Sequence, residues 1–84
     1  MALLGLRERL AQTLLRAVDA ASAQVPNRAK LRLSQYELAH RVGATRESVN
    51  KCLHEWQRAR IIRIEKRVIT IVDRAALEAL VEPE

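Results

Sequence analysis

Ser34-Gln35-Tyr36-Glu37 has the S-x-x-E form of a helix start, Gly43 lies nine residues after that serine, and Thr45 follows two residues later. The Ser34 hydroxyl can accept from the amide at Glu37 while the Glu37 carboxylate reaches back to Ser34, and Leu33 and Leu38 occupy the two places of a hydrophobic staple. A short helix over residues 35–42 is expected, ended by Gly43, the residue that most easily turns left-handed just past a helix. Thr45 then caps a second helix over residues 46–58. Two helices joined so tightly must cross steeply, which makes residues 34–58 a helix-turn-helix.

The flanking segments supply the rest of one small fold. From Leu3 to Ala23 the apolar positions Leu3, Leu6, Leu10, Leu14, Ala17, Val18 and Ala21 recur at three- and four-residue steps, which predicts an amphipathic helix with one buried stripe. Pro26-Asn27 ends it in a loop. Ala29-Lys30-Leu31-Arg32-Leu33 alternates apolar and basic residues, the pattern of a short strand with one cationic face. Ile61 to Ile64 and Val68 to Val72 are β-branched runs on either side of Glu65-Lys66-Arg67, a three-residue charged turn of a hairpin. Asp73 caps a last helix over residues 74–81. The expected class is therefore mainly α with a small β-hairpin wing, an α+β winged helix-turn-helix. It is expected as a single domain over residues 1–84: leading helix 1–24, helix-turn-helix 34–58, wing 61–72 and closing helix 73–81.

Composition narrows the function. With 84 residues, no Phe, one Trp and one Tyr, the core must be aliphatic, and there is little room for an enzyme cleft. The charge is +5, and residues 26–72 carry eleven bases against four acids. Twelve of the fifteen bases are Arg, whose planar fork suits phosphates and guanine edges. Any single Arg is explained as a solvated surface charge, but this concentration in mid-chain points to a polyanion.

On a wheel of 100° per residue, Val49, Cys52, Leu53 and Trp56 share one side of the second helix. Glu47, Asn50, Lys51, His54 and Arg58 lie opposite, with Arg46 on the flank.

Other chemistries lack their residues. Cys52 and His54 are two apart, about 200° around a helix, so they cannot face each other as nucleophile and base. One Cys and two His form no zinc set, and Gly5 and Gly43, the only glycines, make no phosphate loop. No enzyme, metal or membrane span is expected. The lone cysteine and an apolar start broken by Arg7, Glu8 and Arg9 lead to the expectation of a cytoplasmic protein.

The stretch from Leu33 to Lys51, with Ala39 where two helices approach, Gly43 at the turn and Val49 at a buried position, resembles the signature of the Crp/Fnr family of bacterial transcription regulators. Residues 62–80 are similar to that family's wing and closing helix, and 6–18 to the helix preceding its C-terminal DNA-binding domain. The resemblance spans most of the chain and implies double-stranded DNA as partner.

It implies that Arg46, Glu47 and Lys51 read base edges, with Ser48 and Asn50 secondary. Arg or Lys donates to guanine O6 and N7, and Glu accepts from cytosine N4. Lys51 stands where an Arg is common, so a fork contact becomes a point contact. Phosphates are expected at the helix amide ends, Ser34-Gln35-Tyr36 and Thr45-Arg46, with His54, Arg58, Lys66 and Arg67 adding charge.

The family's effector-binding β-barrel and long dimerisation helix have no counterpart among these residues. No cofactor is therefore expected in this chain, and the effector of a full-length relative is left open. The leucines of residues 1–6 suggest a homodimer surface, and the loop at 20–30 is where the family touches RNA polymerase. Two rivals stand beside DNA binding. A winged helix can serve only as a protein-interaction module, though such modules usually lack a concentrated basic face. RNA recognition needs stacking aromatics that are nearly absent.

Overall fold

The computed structural model describes residues 5–24, 30–32 and 34–81. Its elements run α1 (Leu6–Gln24), β1 (Lys30–Arg32), α2 (Gln35–Val42), α3 (Arg46–Arg58), β2 (Ile62–Glu65), β3 (Val68–Ile71) and α4 (Arg74–Val81). Leu3, the staple residue Leu33, most of the leucine-rich start, the Pro26-Asn27 turn and the acidic end at 82–84 lie outside the described residues.

The predicted caps hold the two central helices. The Ser34 hydroxyl accepts from Glu37 N at 3.0 Å and donates to the Glu37 carboxylate at 3.4 Å, so the carboxylate meets the serine side chain. Gly43 ends α2 at φ 77, ψ 38, and the amides of Gly43 and Ala44 both donate to the Ala39 carbonyl. A side chain there would carry the left-handed penalty of about 1 kcal/mol. Thr45 Oγ1 accepts from Ser48 N at 3.1 Å, a cap contributing about 1 kcal/mol to α3. At the far end of α3, Ile61 N reaches back to the Trp56 carbonyl at 2.9 Å across Arg60, which has φ 64. This is the closing geometry usually given to Gly.

The sheet is larger than the expected hairpin. Its order is β1-β3-β2, all antiparallel, with Leu31 opposite Ile69 and Ile64 also opposite Ile69. β3 is thus the central strand, and β1 caps its second edge. The turn is also tighter than expected: Glu65 pairs with Val68, which leaves only Lys66 and Arg67 in the loop, at φ 47 and 67. Two positive φ values in a two-residue loop match the right-handed twist of paired strands. Two L-residues are thereby held in a conformation that Asn and Gly take more easily.

The core forms where these elements meet. Leu10, Ala11, Leu14, Leu15 and Val18 of α1 are buried with Leu38, Ala39 and Val42 of α2 and Val49, Cys52, Leu53 and Trp56 of α3. Leu31, Ile62, Ile69 and Ile71 close it from the sheet, and Leu77 from α4. Ala11 and Leu15 widen the α1 stripe beyond the periodic set because α1 packs against α2, α3 and α4 together. Asp73 caps α4 by accepting from Ala76 N at 3.2 Å, and Arg74 ties α4 to α1 through Asp19 at 3.0 Å.

Candidate nucleic-acid interface

α3 buries one side and exposes the other. Val49, Cys52, Leu53 and Trp56 face the core, whereas Arg46, Glu47, Lys51, His54 and Arg58 are exposed. Among the described residues, none of those five side chains is engaged in a hydrogen bond or ion pair.

The other two α3 candidates are engaged. Thr45 Oγ1 donates its single hydrogen to Ser48 Oγ at 2.9 Å. A phosphate at the start of α3 would therefore meet backbone amides and the Ser48 hydroxyl hydrogen rather than the Thr45 hydroxyl. Asn50 is half-buried, and its Oδ1 accepts from Gln35 Nε2 of α2 at 2.6 Å. This lateral bond is not legible in the helix wheel, which places Asn50 on the polar side but cannot show what the neighbouring helix brings to it.

Ser34, Gln35, Tyr36, Arg46 and Arg67 converge on one cleft of about 460 Å³ whose floor is Leu53, Ile64 and Ile69. Three elements build it: the start of α2, the first turn of α3 and the wing tip. Tyr36 is 71% exposed, so its ring stands at the rim of the cleft instead of in the core. The two wing-tip cations diverge. Arg67 faces this cleft, whereas Lys66 lines the outer sheet face with Lys30, Arg32 and Arg63. His54 and Arg58 lie farther along α3 and do not line the cleft.

The outer sheet face holds cations beyond the residues expected to meet phosphates. Lys30 and Arg63 both sit opposite Thr70 in neighbouring strands, with Arg63 beside Glu65 at 3.6 Å. The alternation at residues 29–33 already signals a cationic face. Its junction with the wing requires the β1-β3 pairing, which is non-local.

Burial pushes the Cys52 thiol up to about 11, with nearby Arg7 partly opposing it. A protonated thiol buried behind α3, with His54 exposed, is a packing group rather than a nucleophile. Among the described residues, no group of three or more His, Cys, Asp or Glu is placed to hold a metal. No helix among them is long and apolar enough to cross a membrane.

A capped helix-turn-helix whose second helix exposes Arg, Glu and Lys beside a cationic wing defines a winged-helix DNA-binding domain. The chain belongs to the family of the Crp-like helix-turn-helix domain, whose model matches residues 8–80. It is 43% identical over 51 residues to the HTH-type transcriptional regulator Cmr of Mycobacterium tuberculosis (strain CDC 1551 / Oshkosh), a match covering 61% of this chain and 21% of that regulator. The fold is similar to that of TTHA1359, a CRP/FNR family transcriptional regulator from Thermus thermophilus. The TM-score is 0.81 at 31% identity, over 94% of this chain and 41% of that one. TTHB099, a CRP family regulator from the same organism, matches with a TM-score of 0.77 at 32% identity, over 90% of this chain and 40% of that one. The chain thus spans well under half the length of each of these relatives.

Proposed function

We propose that this chain binds double-stranded DNA sequence-specifically, as the DNA-binding part of a transcription regulator, with α3 seated in the major groove. The observation that carries this reading is the set of exposed Arg46, Glu47 and Lys51 side chains on the outward side of α3, unengaged among the described residues. Arg46 donates to a guanine edge, Glu47 accepts from cytosine N4, and Lys51 adds a point donor. A helix fits a groove about 12 Å wide, and the exposed side of α3 presents these three groups within two turns.

Register comes from the backbone contacts. The amide ends of α2 and α3, at Thr45 through the backbone alone, hold phosphates beside the groove together with Ser34, Gln35, Tyr36, Arg67 and Lys66, and His54 and Arg58 extend the polar side of α3. The proposed role involves no chemical step and no cofactor within these residues, leaves the effector of a full-length relative open, and belongs in the cytoplasm of a bacterium. A homodimer on DNA and contact with RNA polymerase are further parts of the proposed role.

Selection of bound duplexes from a random pool at low salt, followed by sequencing, tests the reading. Enrichment of a motif containing G·C pairs is expected, and its symmetry distinguishes one half-site from two. Retention of no duplex would overturn DNA binding and leave protein interaction through α3 as the leading role.

A further inference from the structure

The Gln35–Asn50 bond fixes more than the angle between two helices. Gln35 is the first residue of α2, and Asn50 lies on α3 one turn beyond Arg46, between Glu47 and Lys51. The bond is 2.6 Å long and partly buried, so water competes weakly for it. A carboxamide carries its oxygen and its NH2 on opposite sides of the same carbon. With Oδ1 turned toward α2, Nδ2 points away from Gln35.

We infer that Gln35 is a positioning residue that sets Asn50 as a hydrogen-bond donor toward DNA, so that Asn50 selects a base edge bearing acceptors. This rests on the DNA-binding reading above and adds a specificity rule to it. The usual asparagine contact with adenine requires oxygen and NH2 side by side, one accepting from N6 and the other donating to N7. Here the oxygen is committed to the neighbouring helix. The remaining donor suits guanine O6 and N7 or thymine O4 best: adenine offers N7 alone, beside an N6 amino group that repels a second donor, and the N4 amino group of cytosine offers no acceptor.

The rule can be reversed by one atom. In Gln35→Glu the side chain at that position only accepts, so Asn50 must turn its NH2 toward α2 and its oxygen outward. Asn50→Asp reaches the same outward acceptor while keeping the Gln35 donor satisfied. The experiment is the random-pool selection repeated with the wild type, Gln35→Glu, Asn50→Asp and Asn50→Ala, each checked for an unchanged melting transition.

The expected result is one position where the wild type favours guanine or thymine by about fivefold to tenfold, the scale of a single base-edge contact. Asn50→Ala flattens that preference. Gln35→Glu and Asn50→Asp shift it to cytosine or adenine, while the positions read by Arg46, Glu47 and Lys51 stay unchanged. If both acceptor variants keep the wild-type preference, or only weaken all duplexes equally, the pair merely braces the helices and the inference is overturned. It is also overturned if the wild type prefers adenine or cytosine at the position sensitive to Asn50→Ala. A wild type that enriches no motif removes the DNA reading itself, and the inference with it.

Discussion

Arg9 Nη1 of α1 donates to the carbonyl oxygen of Val42 at 3.1 Å, closing the last turn of a helix 33 residues away in sequence. The charge sits at the negative end of α2 and satisfies a carbonyl that no later turn of helix reaches.

Arg9→Met keeps the aliphatic stem and removes this donor. A loss of about 1–2 kcal/mol is expected, because a partly buried bond from a charged group contributes more than a neutral one. Urea unfolding checks it: the midpoint should fall with an unchanged slope. An unaltered midpoint would mean that solvent replaces the guanidinium at Val42.

The wing turn sets charge against backbone conformation. Lys66 and Arg67 hold φ values of 47 and 67 that Asn-Gly adopts without strain. The double variant Lys66→Asn, Arg67→Gly is expected to be more stable by about 1 kcal/mol. It should also bind every duplex more weakly, with the salt slope reduced by about one to two units as phosphate contacts are lost. Measuring unfolding and salt-dependent binding on one preparation separates the two effects. A gain in stability without any loss of binding would exclude the wing tip from the phosphate contacts.

Glu47→Ala removes an acceptor but also removes a negative charge from the face meeting DNA. Total affinity should therefore change little, while discrimination against wrong bases at its contact falls by about 1–3 kcal/mol. Competition between the selected duplex and single-base variants measures this. An intact preference at every position would remove Glu47 from the reading face.

The Cys52 thiol makes stability depend on alkaline pH. Its folded value, pushed up to about 11 by burial, lies above the ordinary 9.0, so the folded state holds the proton over that interval while the unfolded chain gives it up. Stability from this group is fully present below pH 9 and is lost as the pH rises toward 11. Cys52→Ala should flatten that part of the profile in denaturant titrations between about pH 8 and 11, while leaving a small cavity. At about pH 8 a thiol reagent should label Cys52 only after unfolding.

The sequence exposed the helix-turn-helix because its signals are local: a serine cap, a glycine stop and a threonine cap within twelve residues, all matched by bond and angle. The wing was less legible for the opposite reason. Arg60, Lys66 and Arg67 all take positive φ without being Gly or Asn, so the usual markers of a helix stop and a two-residue turn are missing. β1 was readable as a strand, but its pairing with β3 joins residues about forty apart, and no local pattern specifies it. The same holds for the interface: the wheel separates exposed Glu47 and Lys51 from buried Val49 and Leu53, whereas the partner of Asn50 arrives from another helix.

Trp56, the only tryptophan, is 3% exposed on the core side of α3, while the base-reading candidates occupy the other side. Its emission is therefore a built-in optical gauge of the helix-turn-helix core, screened by a full helix diameter from whatever settles on the outer surface. Titrating a duplex should leave that glow nearly unchanged, and denaturant should shift it. One native fluorophore thus lets cohesion and recognition be followed as separate quantities in an unlabelled molecule.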